Sequence, residues 1–203
     1  MNSNCSRNPV LLIHGIFRKS GVFNKMSDHL TQLGWSVHSI NLTPNWGNAS
    51  LEELAQQLAD YIDTNFHPEQ PLDLVGLSMG GLVTRYYLQR LGGINRVQRF
   101  IAISSPHSGT WMAYTLWGKG CVQMRPGSAF LEDLNRDATV LKKLNFTSIW
   151  TPWDFIIVPA SSSQISAAKD VKLSVLAHGM MARDSSSLKA VAEALLEPLK
   201  VHN

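Results

Sequence analysis

A chain of 203 residues with 44% hydrophobic and 16% charged side chains can bury one sizeable core and is too apolar to be disordered. A net charge of +3 without a dense Lys/Arg block gives no footprint for nucleic acid. Two cysteines, Cys5 and Cys121, form no disulfide framework and lack metal-ligand spacing, so free thiols in a reducing compartment are expected.

The opening stretch Met1 to Pro9 has no apolar segment of signal-peptide type, and no apolar run reaches the roughly 18 residues that span a bilayer. The expectation is a soluble, cytoplasmic protein, with residues 1–203 forming a single domain. Pro9 to His14 begins with a buried strand of parallel-sheet character, followed by His14-Gly15-Ile16-Phe17 at its carboxyl end. Residues 24–33 read as a helix stopped by Gly34, and residues 35–40 as a second strand. Ser50-Leu-Glu-Glu53 is a capping box, opening a helix with Leu51, Leu54, Ala55, Leu58, Tyr61 and Ile62 on one stripe that extends towards Phe66.

The apolar run Leu72 to Leu77 then leads into Gly76-Leu-Ser78-Met-Gly80 and a helical run over 82–91. That is the strand–turn–helix setting of a nucleophile elbow. Its tight turn favours glycine on both sides of Ser78, while Gly81 lets the helix pack closely. Residues 97–103 form the next strand, and the β-α-β-α-β-α-β order implies a parallel sheet with helices on both faces. Residues 104–145 interrupt the rhythm as a cap-like excursion, with a helix expected from Ser128 that continues through Leu134 to Leu144. Strands over 146–151 and 172–177 follow. A closing helix over 185–196 is expected to turn Leu188, Val191, Ala192, Leu195 and Leu199 inward.

A serine hydroxyl is a weak nucleophile until a base takes its proton, and that base needs an acceptor on its far side. On this topology the order is Ser, acid, His at successive strand ends. Asp154 follows the 146–151 strand and His178 the 172–177 strand, so Ser78, Asp154 and His178 are the candidate triad. Asp170 and Asp184 are the competing acids, and His14 and His107 the competing histidines with a strand-end setting. The backbone N–H groups of Ile16 and Met79 are candidates for an oxyanion hole. Phe17, Trp111, Met112, Tyr114, Leu116, Trp117 and Ile157 are candidates to line an acyl pocket or interfacial lip; packing of Trp111–Trp117 into the core is the equal alternative.

His14-Gly-Ile, Gly76-Leu-Ser-Met-Gly-Gly-Leu, Ser104-Ser-Pro-His-Ser-Gly-Thr110, Trp153-Asp-Phe-Ile-Ile-Val158 and Ala177-His-Gly together resemble the bacterial lipases of the α/β-hydrolase fold, most closely the small class 2 triacylglycerol lipases. The resemblance implies a minimal α/β-hydrolase fold of about six strands. It also implies that Ser78, Asp154 and His178 hydrolyse carboxylic esters of glycerolipid type through an acyl-enzyme, without a cofactor. An acyltransferase or thioesterase would use the same residues, and a non-catalytic lipid-binding member is the alternative from outside the enzymes. The partners implied are a lipid or ester substrate and transient contact with a lipid interface. The smallest relatives lack a lid, whereas residues 111–127 are numerous enough for a partial one. A calcium site, known in larger relatives, is not carried over to Asp133, Asp137, Asp170 or Asp184.

Overall fold

The structure, a computed structural model, describes residues 7–200. Cys5, His202 and the stretch before Arg7 lie outside the described residues. Six parallel strands form one sheet: β1 (Val10–Ile13), β2 (Val37–Ile40), β3 (Leu72–Leu77), β4 (Val97–Ile103), β5 (Asn145–Trp150) and β6 (Lys169–Lys172), in spatial order β2-β1-β3-β4-β5-β6. The chain leaves β1 in one direction to make β2, then returns to the other side of β1 for β3. That reversal opens a crevice at the carboxyl ends of β1 and β3, where open α/β sheets place their ligands.

Side chains alternate across each strand, and the apolar runs feed two cores accordingly. Leu11, Ile13, Leu72, Leu74, Phe100, Ala102 and Phe146 face one side. There they pack on α2 (Leu51–Asn65), α3 (Met79–Arg90) and α5 (Ala129–Arg136). Val10, Leu12, Val75, Leu77, Ile101, Ile103 and Ile149 face the other, against α1 (Asn24–Gln32) and α6 (Ser185–Leu196). The capping box of α2 forms as expected, with Ser50 Oγ accepting from Glu53 N–H and Glu53 Oε2 accepting from Ser50 N–H at 2.9 Å.

Residues 104–145 contain a 3₁₀ turn (Trp111–Tyr114), α4 (Lys119–Gln123), α5 and a second 3₁₀ segment (Ala138–Lys143). The single helix expected from Ser128 therefore breaks at Asp137. Its carboxylate is drawn into a pair with Arg90 of α3 at 2.8 Å, and Arg90 also binds Asp133. Gln123 of α4 accepts from Leu51 N–H at 2.7 Å, tying the excursion to the start of α2.

The last strand also shifts from its expected position. It occupies Lys169–Lys172, not 172–177, because its partner β5 ends at Trp150 and offers a final carbonyl to Leu173 N–H. Leu199, expected inward, is 42% exposed, and Ser187 takes a buried place on α6 instead. Among the described residues, no helix is long and apolar enough to cross a membrane.

Candidate active site

Ser78 sits between β3 and α3 with φ 56° and ψ −123°, a conformation costing a side-chain-bearing residue about 1–3 kcal/mol. Two neighbours hold it there: its N–H donates to Ile103 O at 2.8 Å, and its own carbonyl accepts from Gly81 N–H at 3.0 Å. The turn is possible only because backbone touches backbone. A Cβ on Gly76 would lie 2.7 Å from the Gly81 Cα, and one on Gly80 would strike the carbonyls of Ile13 and His14. A Cβ on Gly15 would lie 2.9 Å from the Ser78 Cβ, so the loop after β1 lies directly against the serine.

That loop is shaped by His14. Gly15 O can only accept, so His14 Nδ1 carries the proton and donates to it at 2.9 Å. His14 Nε2 accepts from Leu42 N–H at 2.9 Å, so the fully buried ring is neutral and bridges the loop to the segment after β2. Burial is what lowers its pKa, against the opposing hydrogen bond to Gly15. Phe17 takes φ 57° and donates its N–H to Asn45 O. Among the described residues the Ile16 N–H has no backbone acceptor, and Met79 opens α3, where first-turn N–H groups have none within the helix. His14 is thus occupied as a support for the loop.

Across the crevice, His178 Nδ1 lies 2.7 Å from Asp154 Oδ2. The other carboxylate oxygen accepts from Ile157 N–H at 2.8 Å and Ile156 N–H at 3.0 Å. Burial pushes the Asp154 carboxyl up, but the hydrogen bond and charge of His178, with the two N–H donors, outweigh it and hold it below the usual carboxylate range. An ionised Asp154 can only accept, so His178 Nδ1 carries a proton, and in the neutral ring the lone pair is on Nε2. The competing acids are engaged elsewhere: Asp170 accepts from Trp150 Nε1 at 2.8 Å, and Asp184 caps α6 through Ser186 N–H at 2.9 Å. His107 is buried among Phe146 and Arg85, away from the crevice surface.

Ser78, His178, Gly15, Ile16, Phe17, Leu77 and Ile156 share a cavity of about 310 Å³. Ser78 and His178 meet there as walls of one space; among the described residues they make no direct hydrogen bond. Nucleophile–base contacts commonly tighten only with substrate in place.

The apolar candidates divide. Phe17 is half exposed and lines the cavity, whereas Ile157 is 1% exposed and belongs to the core. Ile156 takes its place: the Asp154 carboxylate gathers both N–H groups, and the resulting tight turn sends one side chain out and the next in. Trp111, Met112, Tyr114 and Trp117 lie at the surface rather than in the core, Trp117 with 88% of its area exposed. None of the four lines the cavity. Trp111 and Tyr114 stack at 5.5 Å, with Arg125 over the Tyr114 ring. Thr110 joins this turn to the acid loop, donating to Ile156 O at 2.7 Å and accepting from Val158 N–H at 2.9 Å. Arg18, Val22 and Gly179 also line the cavity; the sequence carries no motif that marks them.

Sheet order, elbow and the strand-end placement of the polar groups define an α/β-hydrolase fold. A family model described as palmitoyl protein thioesterase matches residues 9–153, and the chain belongs to that family. The match includes Ile16, Ser78 and Met79 and ends one residue before Asp154. Among solved structures, lipase B of Aspergillus fumigatus superposes with a TM-score of 0.80 at 21% identity, over 94% of this chain and 53% of that one. This chain therefore spans about half the length of that lipase. The mature Bacillus licheniformis lipase BlEst2 gives a TM-score of 0.78 at 14% identity, covering 95% of this chain and 93% of its own. A thioesterase domain from the curacin biosynthetic pathway gives 0.65 at 17% identity, over 95% and 88%. These structures share the fold of this chain.

Proposed function

We propose that this protein is a serine-dependent acyl hydrolase acting on carboxylic esters of glycerolipid type. His178 Nε2 takes the proton of Ser78 Oγ as the oxygen attacks the acyl carbonyl. The Ile16 and Met79 N–H groups receive the negative charge of the tetrahedral intermediate. The alcohol leaves with the proton held by His178, and water then attacks the acyl-serine by the same route, releasing the acid and restoring Ser78. Asp154 keeps the imidazole in the required tautomer throughout. The observation that carries this reading is the 2.7 Å His178–Asp154 contact at a cavity that Ser78 and His178 both line.

Family membership favours a second reading within the same chemistry, in which the acyl group arrives as a thioester. A fluorophosphonate probe should label the wild type and leave Ser78→Ala unlabelled; equal labelling of both removes Ser78 as the nucleophile. Oxygen esters and thioesters of one acyl chain then separate the two readings by kcat/KM. The exposed aromatic turn Trp111–Tyr114, joined to Ile156, supports contact with an acyl chain. Medium or long acyl esters should accordingly turn over faster than acetate, and equal rates would remove that role.

A further inference from the structure

A second cavity, of about 550 Å³, adjoins the one that holds Ser78 and His178, and Phe17, Arg18, Val22 and Gly179 line both. Its walls come from the loop after β1, the start of α1 and the turn after His178. Four lining side chains are cationic, namely Arg18, Lys19, Lys25 and Arg183, and none is acidic. All four are exposed.

Outside the cavity, Arg90, Arg96 and Arg99 each pair with an aspartate, and Arg85 and Arg125 donate to carbonyl oxygens instead. Among the described residues the four cavity cations have no such partner. The acidic groups nearest in sequence are Asp28 and Asp184, and Asp184 is engaged at the start of α6. Four like charges around one concavity repel one another, so the fold gains nothing by gathering them. A concave wall of one sign instead concentrates field lines and draws in a ligand of the opposite sign. The volume suits a small-molecule group much larger than a single ion.

Arg18 stands at the junction. Its N–H donates to Gly15 O at 3.3 Å within the loop that faces Ser78. Its Nη2 reaches the turn after His178, 3.8 Å from where a Cβ on Gly179 would stand. A substrate with its carbonyl carbon at Ser78 Oγ can therefore run one arm past Arg18. The other arm has the Ile156 side, where the aromatic turn is attached.

We propose that the cationic cavity binds a phosphate group on the leaving-group arm, so that the substrates are acyl esters or thioesters of a phosphorylated alcohol or thiol. This rests on the reading of Ser78 as nucleophile and adds to it the class of leaving group.

The test compares octanoyl-CoA, 1-octanoylglycerol 3-phosphate and uncharged 1-monooctanoylglycerol on the wild type and on the double variant Lys25→Gln/Arg183→Gln. Both residues line only the second cavity. The expected result is a fall of about tenfold or more in the ratio of kcat/KM for a phosphate-bearing substrate to that for the uncharged one, carried mainly by KM. A fall confined to octanoyl-CoA assigns the site to a phosphorylated thiol; one confined to the glycerophosphate assigns it to a lipid headgroup. A ratio unchanged by the double substitution overturns the proposal. Titrating octanoyl-CoA and 1-octanoylglycerol 3-phosphate into Ser78→Ala with and without the two further substitutions separates the claims. Weakened binding of either ligand upholds the cavity even if Ser78 proves not to be the nucleophile, and identical binding of both overturns it.

Discussion

Asp154 shows how much one side chain has to do here. One of its oxygens holds His178, and the other folds the loop that turns Ile156 towards the cavity and Ile157 into the core. An amide at this position would satisfy either the loop or the ring, but it can offer an N–H to Nδ1 and so leave the proton on Nε2. Asp154→Asn should therefore lower kcat by about 10³–10⁴-fold with little change in the thermal midpoint. A variant with wild-type kcat would show that the acid is another residue. The placement of Asp154 beside His178 is readable in the sequence because both follow strand ends, in the order that the proposed acid and base require. The exchange of Ile157 for Ile156 is not readable, since it depends on which N–H groups a carboxylate gathers in a loop without period.

The elements best forecast from sequence are those whose period and ends are both marked. Helix α2 has a capping box and an apolar stripe, and α6 occupies the expected span Ser185–Leu196. Strand β3 and the elbow are constrained by glycines that no larger residue can replace. The misplaced elements are those decided by a neighbour. β6 is an edge strand whose extent is set by where β5 stops offering carbonyls. The helix from Ser128 ends early because Arg90, far away in sequence, captures Asp137. The capping box gives a direct check on how much a local signal stabilises the fold. Ser50→Ala leaves the Glu53 N–H without its acceptor and should cost about 1 kcal/mol, read as a lower urea midpoint at unchanged slope. A change within error would mean that docking of α4, through Gln123 on Leu51 N–H, already fixes this helix start.

The whole molecule places two uncharged histidines under the crevice, and they set a limit on its stability in acid. His14 is lowered by burial, against the opposing hydrogen bond to Gly15, and His107 is driven well below the ordinary range by burial and by the Arg85 charge. Both ring nitrogens of His107 are buried without a hydrogen-bond partner, so its protonation would introduce an unpaired charge beside a buried arginine. A histidine whose folded pKa is depressed binds its proton more readily in the unfolded chain. Stability is therefore complete above the unfolded value of about 6.5 and declines as pH falls below it. For each such histidine the slope reaches at most about 1.4 kcal/mol per pH unit while the folded ring stays neutral. The depressed carboxyls act in the same direction but only in stronger acid. Asp137 is lowered by its hydrogen bond to Arg90 and Asp184 by those to Ser186, so their contribution is lost only as pH falls below the usual carboxylate value near 3.9. Urea midpoints measured between pH 7.5 and 5.0 should accordingly decline through a window that belongs to histidine. His107→Leu should flatten that decline, because it removes the proton acceptor that is hardest to charge in the fold. A wild-type midpoint that stays level across the window would mean that neither ring is held neutral against the unfolded chain.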